Sequence, residues 1–487
     1  MREGPRPAAS SSGFSRARAG FATPSTGVPL TLSTSGGGSA ARRRTVRPGV
    51  WYGAAALVTA AVFGPYTPQA GVRTEQVAVY ALLLVGLLAG RRIRVTAPAA
   101  LVLLLLSTQF LVAAVGGLAP IGAPVAVESG SLLAGIDTLL MPIAVLTLVL
   151  LMTSSGADPR RLLRIVCTVL IVAMCVNTVL SCVSMRYDIT PLLQMFWENH
   201  AGQESVAARA AQLGRLSGIF NQPAEAGALY SFALLAAVYR YRDRTVPFVC
   251  ATVLLTIGGV VAVSKVFLLI GLPLGLWQIV RSYGIARPRV WALTAAVLLV
   301  TLAAQSGLLP PWAGLDYFAR LLRPPDDGTD LVGFYTAGRL GDTPTLQYVS
   351  DAVLGSSPWF GLGASGLATA YDNGWIEALA VAGIVGVLGY TGILGCLVAA
   401  GYLRRPRPEP ATARFGGALV VVLVGGSLGL PMLTANRVGT IAWLLIGLLL
   451  LAPTTNPRRA ARSDRESAGA DITGEAARGT KNVKVAP

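Results

Sequence analysis

Arg215, Asn221, Pro223 and Glu225 crowd into one short stretch, "GRLSGIFNQPAEAG" (214–227), directly ahead of the apolar run "ALYSFALLAAVY". A plain membrane anchor needs none of them. Their order reads as the start of a helix. Asn221 or Gln222 can cap it, Pro223 suits its first turn, and Glu225 suits the N-terminal end of its dipole. Free N–H groups at such an end attract an anion, and the guanidinium of Arg215 just upstream can converge on the same charge. The competing role for Arg215 is to snorkel, or to pair with Glu225.

A second group of reactive side chains lies further along. Arg339 sits in the turn-prone "GRLGD" (338–342), and "PWFGLG" (358–363) is a tight Gly/Pro loop carrying Trp359, suited to close approach of a sugar ring or lipid headgroup. "YDNGW" (371–375) then leads into another apolar run. Asp372 or Asn373 can be the cap of that helix. Lys265, in "SK" (264–265), and Glu377 lie near the ends of apolar runs, where snorkelling anchors are common.

Metal chemistry finds little support. The five cysteines all fall in apolar runs without a C-x-x-C pair, and the lone histidine, His200, cannot build a multi-histidine site. Asp326, Asp327 and Asp330 in "RPPDDGTD" lack the spacing of a calcium loop and read as a solvated turn. Neither a metal nor a cofactor is expected.

The elements that must position these groups follow from composition. Of 487 residues, 53% are hydrophobic and only 13% charged, far from the roughly one-quarter charged typical of soluble domains. The expected fold class is an all-α polytopic membrane protein with about 12 transmembrane helices and two large extracytoplasmic loops. The apolar cores fall at 51–66, 76–90, 97–117, 131–153, 163–183, 224–239, 246–263, 266–281, 290–308, 375–402, 415–433 and 438–453. Between the seventh and eighth only "SK" interrupts. Residues 1–48 and 455–487 are polar, expected as disordered cytoplasmic tails around a membrane domain at 49–454. The loops are expected at about 184–222 and 309–373. Loops that long, carrying core-forming residues, are more often functional than spare.

A net charge of +17 raises nucleic acid as a partner, but the arginines cluster between apolar runs: "ARRRTVR", "RRIR", "PRRLLR", "YRYRDR", "RPR" and "RRPRPEP". All fall on one side of the alternating spans, as the positive-inside rule requires. No nucleic acid is expected, and both termini are expected to be cytoplasmic, in a cytoplasmic membrane. Asp137, Asn177 and Gln109 are polar groups within spans, and helix-to-helix hydrogen bonding is their default role.

Together these motifs resemble the O-antigen ligase and polymerase family of bacterial polysaccharide assembly. "GRLSGIFNQPAEAG" is similar to the family's Arg-x-x-Gly-Phe-like segment followed by Asn/His-x-Pro. "SK" resembles its Ser-Arg/Lys element. "AGR", "PWFGLG" and "DNGWIEALAVAGIVG" resemble its second-loop signature, in order, over roughly residues 210–390. The resemblance implies transfer of a glycan from an undecaprenyl-pyrophosphate carrier to an acceptor hydroxyl at the outer membrane face, in capsular or exopolysaccharide synthesis. Arg215 and Arg339 would bind and stabilise the pyrophosphate leaving group, with Asp372 as base. Arg209, Asn221, Glu225, Lys265, Trp359 and Asn373 would contact substrate. The partners implied are the lipid-linked oligosaccharide, membrane lipids and other polysaccharide export or assembly proteins. The family's ligases place a histidine before the second-loop asparagine. Here Tyr371–Asp372–Asn373 stands instead, which points toward a polymerase.

The rival expectation is a flippase or transporter of the same lipid-linked oligosaccharide. A flippase should line a path through the bilayer with polar or charged residues. This chain keeps its spans nearly clean and places its arginines and its longest loop outside them. A scaffold subunit without activity is disfavoured by the motif set alone.

Overall fold

In the computed structural model of the chain, the described residues are 49–66, 73–90, 92–118, 132–197, 205–283, 290–291, 312, 314–315, 344–368, 371–403 and 409–452. Arg339, the Asp326–Asp327–Asp330 turn, both tails and nearly all of the expected ninth span lie outside them. All of the described residues fall within one compact unit. Among the described residues the protein is all-helical, with no strand beyond one isolated bridge between Tyr66 and Arg73.

Helices α1 (Gly49–Phe63), α2 (Thr74–Leu88), α3 (Ala97–Leu118), α4 (Leu132–Ser154) and α5 (Pro159–Ser184) come first. A short α6 (Val206–Gln212) follows, then α7 (Pro223–Arg240), α8 (Thr245–Val261) and α9 (Phe267–Tyr283). The last four are α10 (Pro344–Ser356), α11 (Gly374–Val398), α12 (Pro410–Gly426) and α13 (Asn436–Leu451). Four of them, α3, α4, α5 and α11, contain windows long and apolar enough to cross a bilayer, and six more are apolar but shorter.

Helix α7 is the bundle's centre: fifteen of its eighteen residues are buried, against α5, α8, α9 and α12. Small residues let its neighbour approach. Gly227 faces Ser264, Ser231 faces Gly271, and Leu234 packs over Gly275, so α7 and α9 meet nearly backbone to backbone. The polar groups within the helices are paired across elements. Asn177 on α5 donates to the Tyr230 hydroxyl (3.0 Å) and accepts from the Ile219 amide (3.0 Å), while Gln109 on α3 donates to the Gly386 carbonyl (2.9 Å).

Three boundaries depart from the hydropathy pattern. The interruption at "SK" is a sharp reversal: α8 ends at Val261, and Val263 takes φ +43°, a rare and costly conformation for a β-branched residue. The expected span 415–433 ends as helix at Gly426, because "SLGLP" turns the chain before Pro431. Helix α11 is broken at Ala382–Gly383, where Gly383 takes φ +59°. The backbone groups freed there bind the segment that runs back toward the helix. The Ile384 amide donates to the Pro358 carbonyl (2.8 Å), Val385 to Trp359 (3.2 Å), and the Leu362 amide to Ala380 (2.7 Å). A Cβ at Gly383 would meet the Pro358 oxygen at 2.6 Å, so the "PWFGLG" loop is a backbone plug for a broken helix.

The helices alternate between two ends of the bundle. At one, Arg161 stacks on Trp51 (4.6 Å), Arg160 pairs with Glu409 (3.7 Å) and Arg240 donates to Thr168 (3.0 Å). At the other, Arg437 is almost completely buried and donates to the carbonyls of Gly64, Phe196 and Ile219, each at 2.9 Å, with Tyr66 and Phe220 rings against its guanidinium. One fork therefore closes the C-terminal end of α1 and pins the segment between α5 and α7. Around it lie Glu225, Glu75 and Arg73. Arg73 reaches Glu75 (3.4 Å) and Asp137 (3.7 Å), and Asp137 also accepts from Tyr80 (2.5 Å) and Gln76.

Candidate functional site

At the Arg437 end, a cavity of about 540 Å³ lies between α6, α7, α9 and α12. Four of the residues singled out from the sequence line it: Arg209, Arg215, Lys265 and Asp372. They come from segments more than 160 residues apart.

Each is positioned by a local device. Arg209 is in the last turn of α6, capped at its start by Ser205, whose Oγ accepts from the Ala208 amide (3.1 Å). Gly214 reverses the chain at φ +73°, and Arg215 then returns its amide to the Ala210 carbonyl (3.0 Å). The Leu216 amide bonds Val261 (3.2 Å) and Arg215 Nη2 lies 3.5 Å from the Val263 carbonyl, so the strained turn after α8 holds the arginine in place. The Trp312 indole donates to the Gly214 carbonyl (2.6 Å), tying the start of the second long loop to the same turn. Lys265 opens the helix that runs on into α9, with Ser264 before it as the cap residue.

Two helix N-termini meet at this cavity. One is that of α7, where Gln222 and Ala224 line the wall and Gln222 makes no side-chain capping bond. The other is at Ser264, whose hydroxyl is buried without a hydrogen-bond partner. Among the described residues, two positive dipole ends and three cations line the cavity with one carboxylate, an arrangement that favours an anion. The remaining wall is apolar: Val266 and, in α9, Leu269 and Ile270 oppose Gly425, Leu428 and Gly429, and Leu269 and Leu428 are exposed at the bundle's flank. An anionic headgroup and an attached hydrocarbon chain can both be accommodated.

The capping question at 372–373 has a clear geometric answer. Asn373 is the cap of α11, its Oδ1 accepting from the amides of Trp375 (2.8 Å) and Ile376 (3.4 Å). Asp372 lines the cavity instead. Its neighbour Tyr371 is a poor proton acceptor, since burial, assisted by the nearby Glu377 carboxylate, pushes its phenol up to about 12. Replacing Asn373 with alanine is expected to cost about 1 kcal/mol of stability, and Asp372→Ala much less, in thermal unfolding of the purified protein.

The other sequence candidates lie elsewhere. Asn221 and Glu225 belong to the buried charge cluster, not to the cavity lining: the Asn221 amide donates to Glu225 Oε2 (3.2 Å) and its side chain to the Tyr66 hydroxyl (3.0 Å). Neither Asn221 nor Gln222 caps α7 through its side chain. Trp359 is 59% exposed on the plug loop, away from the cavity, and Arg339 is outside the described residues. Among the described residues no group of three or more His, Cys, Asp or Glu could hold a metal ion.

Sequence reasoning missed Ser264 as a second helix start, the α12 wall, and Arg437. One signal was available for the last. Arg437 is at the N-terminal end of α13, where the helix dipole disfavours a cation, so some other partner had to hold it.

No protein-family model matches the chain, and no curated protein matches it either.

Proposed function

We propose that the protein transfers glycan from a polyprenyl-pyrophosphate carrier to an acceptor hydroxyl, as a polysaccharide polymerase or ligase of the O-antigen ligase and polymerase type. The observation that carries this reading is the meeting of Arg209, Arg215, Lys265 and two helix N-termini in a cavity with an apolar flank. The diphosphate lies among the cations and helix ends, and the isoprenoid chain leaves between α9 and α12. The bond from sugar to diphosphate is already activated, so the protein supplies positioning, charge stabilisation of the departing diphosphate and one base. Asp372 takes the proton of the acceptor hydroxyl as that oxygen attacks the anomeric carbon and the diphosphate leaves.

An Arg215→Ala variant is expected to lower transfer by about 10²-fold at unchanged protein abundance, and lysine to rescue poorly because it lacks the bidentate fork. Polymer yield at matched expression reads this out. On this reading the cavity is extracytoplasmic, with twelve spans and both termini cytoplasmic. Cysteines at Tyr187 and Arg242 in a Cys-free background should label with an impermeant maleimide from outside and only after permeabilisation, respectively; the reverse pattern would invert the topology. In a deletion strain, carrier bearing one repeat unit points to a polymerase and carrier bearing finished polymer to a ligase.

A flippase reading draws on the broken helix α11, since discontinuous helices form many transport sites. Against it, the freed backbone groups of α11 bind Pro358, Trp359 and Leu362 of the same chain.

A further inference from the structure

Behind the α11 N-terminus lies a second, smaller cavity of about 30 Å³, where Gln109, Glu377, Tyr390 and Thr434 are the polar lining within an otherwise apolar wall that includes Leu139 and Val381. Glu377 is 8% exposed, and no lysine or arginine pairs with it among the described residues. Most of the hydrogen-bond donors around it are committed. The Thr434 hydroxyl donates to Glu377 Oε1. The Gln109 amide nitrogen donates to the Gly386 carbonyl (2.9 Å). Ser427 donates to Leu423 (2.6 Å), which leaves the Tyr390 hydroxyl to donate to Ser427 (2.6 Å).

What remains for the cavity is mainly lone pairs, those of Glu377 Oε2, the Gln109 carbonyl oxygen and the Thr434 and Tyr390 oxygens, against one Gln109 N–H. A buried carboxylate among oxygen acceptors costs several kcal/mol unless a positive charge joins it. The volume suits one water-sized species. A single carboxylate with neutral hard oxygens matches one small monovalent cation. We propose that Glu377, Thr434, Gln109 and Tyr390 form a binding site for a small monovalent cation, sodium being the probe. The bound ion holds the first two turns of α11 against α3 and the 427–435 turn, and so fixes the residues that present Asp372. The proposal does not depend on the glycan-transfer reading.

The test uses the full chain purified in detergent, melted in sodium chloride and in choline chloride at equal ionic strength and pH. The expected result is a saturable rise in melting temperature with sodium, with the apparent affinity falling about tenfold or more in Glu377→Gln and in Gln109→Leu. Equal melting in both salts would overturn the proposal, as would an unchanged sodium response in Glu377→Gln. Should that variant fail to fold, equilibrium binding of radioactive sodium to the wild-type protein decides: saturable retention supports the site, and none, the result expected if Glu377 simply carries a proton, refutes it.

Discussion

An Asp372→Asn variant is expected to insert, fold and melt like the wild type while transferring glycan about 10²- to 10⁴-fold more slowly. The two halves of that expectation come from one geometric fact. Asn373 supplies the capping oxygen to the Trp375 and Ile376 amides, so the fold does not need a carboxylate at 372. An amide at 372 keeps the volume and polarity of the side chain but cannot accept the acceptor's proton. Initial rates with purified protein and a synthetic lipid-diphosphate oligosaccharide measure the effect, with melting temperature as the control. A rate near wild type would remove Asp372 from the chemistry.

Arg437→Ala is expected to be the most damaging single change to the fold, at about 3–5 kcal/mol. The substitution strands the carbonyls of Gly64, Phe196 and Ile219 and removes a positive charge beside Glu75 and Glu225, all in a place that water reaches poorly. Lysine is expected to recover little, because one ammonium cannot span carbonyls from three segments. The 205–220 segment carrying Arg209 and Arg215 is pinned partly through Ile219, so loss of the fork loosens the cavity wall as well. Thermal unfolding and monodispersity in detergent check this. A melting temperature within a few degrees of wild type would show that Arg437 is not the anchor described here.

Much of this architecture was legible in the sequence, for physical reasons. Runs of twenty apolar residues have few alternatives to helix, and the described helices fall within a few residues of most of the expected cores. The Asn-Gln-Pro start of α7 and the cap of α11 are local signals, and local signals survive without knowledge of packing. Arg209, Arg215, Lys265 and Asp372, four of the residues that the motif resemblance singled out, line one cavity, whereas Asn221, Glu225 and Trp359 lie elsewhere.

What was not legible depends on contacts between distant segments. Trp359 sits in a loop that looks made for a ligand, but its backbone is spent on the break in α11, a feature that a single glycine in an apolar run does not announce. Asn221 and Glu225 read as a helix cap and a dipole partner, and the motif resemblance assigns them to substrate contact. Only the position of Arg437, more than 200 residues later, shows that they face a buried charge cluster instead. Ser264 was visible as a residue between two apolar runs, but its burial beside Gly227 is a product of helix packing.

The measurement closest to the central claim is a reconstitution in lipid nanodiscs with a polyprenyl-pyrophosphate oligosaccharide as the sole donor. The account predicts a longer glycan and one free polyprenyl pyrophosphate released per repeat added, with both products lost together in Arg215→Ala and Asp372→Asn. Carrier recovered intact, with its glycan moved between the leaflets of a liposome containing the same protein but never transferred, would contradict it.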